Sequence, residues 1–196
     1  MRDFIFKPRL DEKGDVDRTR LKKEIAGILG DRVVDGRARY LFSAEPLVGV
    51  AGEWFRLRMT GEGVVPGMVE IPLTECVNGD EVVLSAWIAL DSNMFRIGEP
   101  RTSLAGRCRE KLLRLCHSRF GAAMDTIVIT VDSGIRVMSA RSKGSNLTRP
   151  YGHVNVAGIV TDSARIREIQ QGGIGEARAY GFGLVAAKPI PQGTTK

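Results

Sequence analysis

The stretch from Val154 to Leu184, VNVAGIVTDSARIREIQQGGIGEARAYGFGL, limits the possible folds more than any other part of the chain. It opens as a strand with Val154, Val156 and Gly158 on alternating positions. Asp162 or Ser163 then caps a short helix that turns Ile166, Ile169 and Gln170 to its buried side. Gly172, Gly173, Gly175, Gly181 and Gly183 follow, and YGFGLVAAKPI reads as a final strand. A dinucleotide-binding loop needs a strand before its glycines and a helix after them. Here the order is reversed, which disfavours a cofactor cradle. What fits is a helix-to-strand loop whose missing Cβ atoms allow positive φ and close approach of another segment. Its successive N–H groups could form an anion-binding nest, with Arg178 adding charge and Tyr180 a flat face. A helix cap followed by a closely packed glycine-bearing strand accounts for the same residues without any ligand.

Upstream, FIF at Phe4 to Phe6 is a strand, followed by the charged turn LDEKGD. Asp15 or Asp17 can cap a helix through about Leu29, with Leu21, Ile25, Ile28 and Leu29 as its apolar stripe and Gly30 as its terminal cap. Arg18 and Lys22 border that stripe, whereas Arg20 and Lys23 point away from it. RYLFSA, WFRLRMT, VEIPL and EVVLSAWIAL read as strands joined by turns such as GEGVVPG and Asn78 to Asp80. SLAGRCREKLLRLCHSRFG is a helix burying Leu104, Cys108, Leu112 and Leu115, with Gly121 near its end. TIVITV is a strand, GIRVMSARSKGSNLTRPYG a hairpin with Arg141, Lys143 and Arg149 at its tip, and HVNVAGIV another strand. This order predicts an α+β protein of two tandem ferredoxin-like, RNA-recognition-motif-like domains, residues 1–95 and 101–190, the second carrying the glycine-rich loop. No internal repeat is strong enough to show duplication.

Charge is concentrated in one segment. The net charge is +6, yet residues 101 to 150 hold ten Lys/Arg against three Asp/Glu, leaving nineteen against twenty elsewhere. Within that segment Arg107, Lys111 and Arg114 recur at helical spacing beside the apolar stripe, a ridge suited to a polyanion. No apolar run approaches the roughly 18 residues of a membrane span. MRDFIFKPRL lacks a secretory core, so the expected compartment is the cytoplasm. Cys76, Cys108 and Cys116 have no paired C-x-x-C spacing, which favours core packing over a disulfide or a zinc site. Trp54 and Trp87 lie inside strand patterns and are expected in the core, while Tyr40, Tyr151 and Tyr180 suit either stacking or packing.

The run VNVAGIVTDSARIREIQQG followed by GIGEARAYGFGLV resembles the C-terminal glycine-rich signature of the CRISPR-associated protein 6 family, particularly its CasE-like branch. The resemblance implies paired ferredoxin-like domains and a metal-independent endoribonuclease. Members cut CRISPR precursor RNA within each repeat by attack of a ribose 2′-OH on the adjacent phosphate, and many then join the effector complex with other subunits. It also implies a loop that contacts RNA backbone through Gly173, Gly175, Arg178, Tyr180, Gly181 and Gly183. The ridge and the hairpin residues Arg141, Lys143 and Arg149 would grip the stem of the repeat. CasE-like enzymes carry Tyr and His on the first helix, and RTRLKKEIAGIL has neither. Arg18, Arg20, Lys22 and Lys23 stand there instead, a departure shared with the arginine-dependent processing enzymes of type IV systems. Arginine is a poor base but stabilises phosphorane charge, and a lysine can shuttle protons. His153 is the other candidate base, and His117 reads as a solvated helix-end residue. Two alternatives stay open: a non-catalytic RNA-binding subunit of such a complex, and a ferredoxin-like enzyme whose loop holds a small phosphorylated ligand.

Overall fold

The computed structural model describes residues 1–7, 18–29, 33–34, 37–38, 40–43, 54–60, 67–95, 100–132, 134–142 and 145–190. The turn LDEKGD, most of GEGVVPG, the capping positions Asp15, Asp17 and Gly30, and Lys143 at the hairpin tip lie outside the described residues.

The first unit begins with β1 (Arg2–Phe6) and α1 (Arg18–Leu29), continues through the small pair β2 (Val33–Val34) and β3 (Arg37–Ala38), and adds β4 (Tyr40–Phe42), β5 (Phe55–Met59) and β6 (Val69–Ile71). Its sheet runs β4-β5-β1-β6, with Phe4 opposite Leu57 and Phe6 opposite Phe55. Alternation along the strands sends Phe4, Phe6, Tyr40, Phe42, Phe55, Leu57 and Met59 to one face. There they form a core with Leu21, Ile25 and Leu29 of α1.

The second unit comprises β7 (Glu81–Ala89), α2 (Arg101–Phe120), β8 (Met124–Val131), β9 (Arg136–Ser142), β10 (Ser145–Val160), α3 (Ser163–Gly172) and β11 (Ala186–Pro189). Its sheet order, β11-β7-β10-β8, is the first unit's order read from the other end, and every pairing is antiparallel. Both are the ferredoxin-like arrangement. In the first unit most of the second crossover, between Met59 and Val69, lies outside the described residues. By position β7 falls within the expected 1–95 domain, but its ladders with β10 and β11 place it in the second sheet.

Val82, Leu84, Ala86 and Ile88 of β7 and Val154, Val156 and Val160 of β10 form one core with Cys108, Leu112 and Cys116 of α2 and Ile166 of α3. The same alternation puts Trp87 on the opposite face of the sheet, which neither α2 nor α3 covers, half-buried rather than in the expected core. β9 continues along the edge of β10 past the end of β8, so the hairpin projects as a two-stranded arm, Ser142 opposite Ser145.

A buried ionic cluster fastens the units together. Asp3, fully buried on the face of the first sheet away from α1, takes a two-pronged ion pair from Arg58, Nε to Oδ1 at 2.7 Å and Nη2 to Oδ2 at 2.8 Å. Arg56 reaches the same carboxylate at 2.7 Å. Burial holds the Arg56 pKa below the ordinary arginine value, opposed by the neighbouring Asp3 and reinforced by Arg58. Arg58 Nη1 also donates to the carbonyls of Val185 at 2.6 Å and Gln170 at 3.3 Å, on either side of the glycine-rich segment.

Candidate nucleic-acid interface

The glycine-rich segment leaves α3 through Gly173, at φ 68°, and crosses the end of β7. Ile174 N donates to Gly183 O at 3.0 Å, Glu176 N to Ala89 O at 3.0 Å, and Gly183 N to Trp87 O at 2.7 Å. These donors are spent inside the fold, so the anion nest expected from the glycine pattern does not form at them. Gly183, at φ 82°, lies so close to Ile174 that a Cβ would overlap its carbonyl oxygen. At Gly181, φ 93°, a Cβ would stand 2.7 Å from the Phe42 ring of the first sheet. Gly181 and Gly183 are buried, Gly173 and Gly175 half-buried. The glycines therefore act first as a packed crosspiece between the two sheets. Arg178 is exposed, but its Nη1 donates to Gly172 O at 2.6 Å and ties the mouth of the loop.

Tyr180, read as a flat face for RNA, is buried, and the Nζ of Lys22 sits 4.9 Å above its ring. In this arrangement the ring is closed to a base, and the contact instead brings α1 against the loop. The turn of α1 that buries Leu21 leaves Lys22 half-buried at the edge and Lys23 exposed. Arg20 is exposed and pairs with Glu24 at 3.1 Å, one helical turn on. Arg18 opens the helix, its backbone in the first turn. The first-helix cations and the glycine loop, far apart in sequence, thus meet at Lys22 and Tyr180.

A second basic region lies on α2. Lys111 and Arg114 are exposed, Arg114 3.6 Å from Glu110, while Arg107 is half-buried and donates to Met94 O. With Asn93 and Ser118 they line a groove between the helix and the short turn Ser92–Met94. Arg149, expected at the hairpin tip, stands at the base of the arm opposite Met138 and pairs with Asp91 at 3.1 Å. The Asn93 N–H bonded to Asp91 holds its carboxyl below the usual range, helped by Arg149 and Lys111. Arg141 lies near the tip, its backbone opposite Asn146.

Chains of known structure share this architecture. A chain of a CRISPR RNA-guided surveillance complex matches over 97% of this chain and 100% of its own, at 17% identity and a TM-score of 0.61. The CRISPR endoribonuclease Cse3 bound to a 19-nucleotide RNA matches over 96% and 100%, at 14% identity and a TM-score of 0.60. Cas6e from Escherichia coli K-12 matches over 97% and 100%, at 14% identity and a TM-score of 0.58. The chain has their fold. No protein-family model matches it, and no curated protein matches it in sequence.

On that shared scaffold a third cluster occupies the open face of the second sheet. His153 does not begin its strand, as its place after the hairpin suggests, but sits well inside β10 directly opposite Trp87. Its Nδ1 is 2.9 Å from Asp132 Oδ2, and its ring centroid is 4.9 Å from the indole. A proton shared with Asp132 at Nδ1 leaves Nε2 as the acceptor. Tyr151 meets Trp87 edge-on at 5.8 Å and continues to Phe182 of the glycine segment at 4.8 Å. Sequence reading does not single out Asp132 and expects Trp87 in the core. The signal for Trp87 was the period-two alternation of EVVLSAWIAL, whereas nothing local marks Asp132 as the partner of His153.

Among the described residues no helix is long and apolar enough to cross a membrane.

Proposed function

We propose that this chain is an endoribonuclease that cleaves CRISPR precursor RNA within its repeats, without a metal ion, and leaves a 2′,3′-cyclic phosphate. The observation that carries the reading is the seating of Lys22 on Tyr180. It sets the cationic first helix against the glycine-rich loop, in the fold shared with the CRISPR endoribonuclease Cse3 bound to RNA. In this reading Lys22, Lys23, Arg18 and Arg20 stabilise charge developing on the scissile phosphate. The α2 ridge, Arg141, Lys143 and Arg149 hold the stem through its phosphates. The likeness to a surveillance-complex chain supports product retention with partner subunits.

A second assignment of the proton transfer has its own observation. His153, oriented by Asp132, is an imidazole held for base catalysis on the sheet face. The test is incubation of the protein with stem-loop repeat RNA in EDTA, scored for a fragment ending in a cyclic phosphate. Lys22→Ala is expected to cut at least about tenfold more slowly with stem binding kept, as for loss of one charge-stabilising group. Loss of cutting in His153→Ala alone moves the base to the sheet. Tight binding with no cutting by the wild type refutes the enzyme reading and leaves a binding subunit.

A further inference from the structure

We infer that the open face of the second sheet carries a stacking subsite for an unpaired nucleotide, centred on Trp87. The inference rests on the RNA reading above and adds a single-stranded contact to the stem contacts assigned to α2 and the arm.

β7 and β10 are the two central strands of this sheet, and both helices of the unit pack on its other face. A sheet face left bare by its helices is ordinarily polar, yet among the described residues its central row places Trp87 opposite His153, with Tyr151 on the diagonal. Trp87 is half-buried, and the exposed Arg136 holds its guanidinium 5.1 Å over the indole. A planar base can enter between guanidinium and indole, exchanging one cation–π contact for stacking on both sides. The neighbouring row, Ser85 hydrogen-bonded to Asn155, is half-buried and polar, and so supplies groups for the edge of a base. On the other side Tyr151 and Phe182 are buried, which fixes the floor of the subsite. Trp87 therefore stands where the covered aromatic cluster ends and the open sheet begins. Two aromatic rings facing each other on the central strands of a ferredoxin-like sheet are the arrangement that stacks successive bases of single-stranded RNA.

The test compares two probes, fluorescein-labelled single-stranded oligoadenylate and a blunt-ended RNA hairpin. Trp87→Ala is expected to weaken oligoadenylate binding at least about fivefold, the lower bound for loss of one stacked base, and to leave hairpin binding within about twofold. Trp87→Phe, which keeps a ring, should retain most of the affinity. In a Trp54→Phe background, where Trp87 is the remaining tryptophan, oligoadenylate should quench the emission and the hairpin should not. This second readout needs no change at Trp87. Equal loss on both probes, no loss on either, or no quenching by oligoadenylate overturns the subsite. Failure of the wild-type protein to bind the hairpin overturns the RNA reading instead.

Discussion

Arg58→Met removes the guanidinium that joins the two units while filling most of its volume. The wild-type side chain is 2% exposed and makes two charge-assisted bonds to Asp3 and two to the carbonyls of Val185 and Gln170. Breaking a buried ion pair by removing one partner costs about 3–5 kcal/mol, because the other charge is left uncompensated. Here Asp3 keeps Arg56 at 2.7 Å, which argues for the low end, about 3 kcal/mol. For a chain of this size that is a fall of roughly 6–12 °C in Tm. Urea unfolding followed by circular dichroism measures it. Asp3→Leu combined with Arg56→Met and Arg58→Met should recover much of the loss, since no member of the buried cluster is then left charged without its partner. A loss below about 1 kcal/mol for the single variant, or strict additivity in the triple, would refute the network as the fastening. The same variant has a functional side. Val185 and Gln170 flank the glycine segment, so RNA cleavage should fall further than stem affinity does.

Two more outcomes follow from the packing. Gly183→Ala forces a Cβ at φ 82° into the Ile174 backbone and should cost at least about 2 kcal/mol, whereas Gly172→Ala, with open space around it, should stay within about 0.5 kcal/mol in the same unfolding assay. Burial pushes the Cys116 thiol up to about 12, so this thiol should resist iodoacetamide until the chain unfolds. Its contribution to stability is then lost as pH rises from about 9 toward 12, where the unfolded thiol ionises and the folded one does not, and a pH series of urea midpoints reads the decline.

Local periodicity was enough to read most of the elements. The stripe Leu21, Ile25, Leu29 places α1, and the alternation of Phe55, Leu57 and Met59 with Arg56 and Arg58 places β5 with two arginines on one face. That pattern ordinarily means a solvated face. Here the partner of that face is the distant segment around Gln170 and Val185. Gly181 and Gly183 were legible as backbone-permissive positions, but their purpose depends on Phe42 and Ile174, one of them in another sheet. Likewise Lys22 and Tyr180, or His153 and Asp132, become neighbours only through tertiary closure, which no spacing along the chain encodes.

One physical consequence links these cases. The glycine segment touches the first sheet at Gly181, seats α1 through Tyr180, bonds to β7 through Gly183, and is held at both ends by Arg58. A cation on α1 can serve chemistry on RNA held by the second unit only if its position is fixed relative to that unit, since small misplacements erase much of the rate. The glycines supply that fixity by giving up their side chains and their N–H groups to the fold. On the proposed reading, their contribution to RNA cleavage is through placement of Lys22. A variant that loosens the crosspiece without touching a cation, such as Gly181→Ala against the Phe42 ring, should lower the cleavage rate while the α2 ridge still binds the stem.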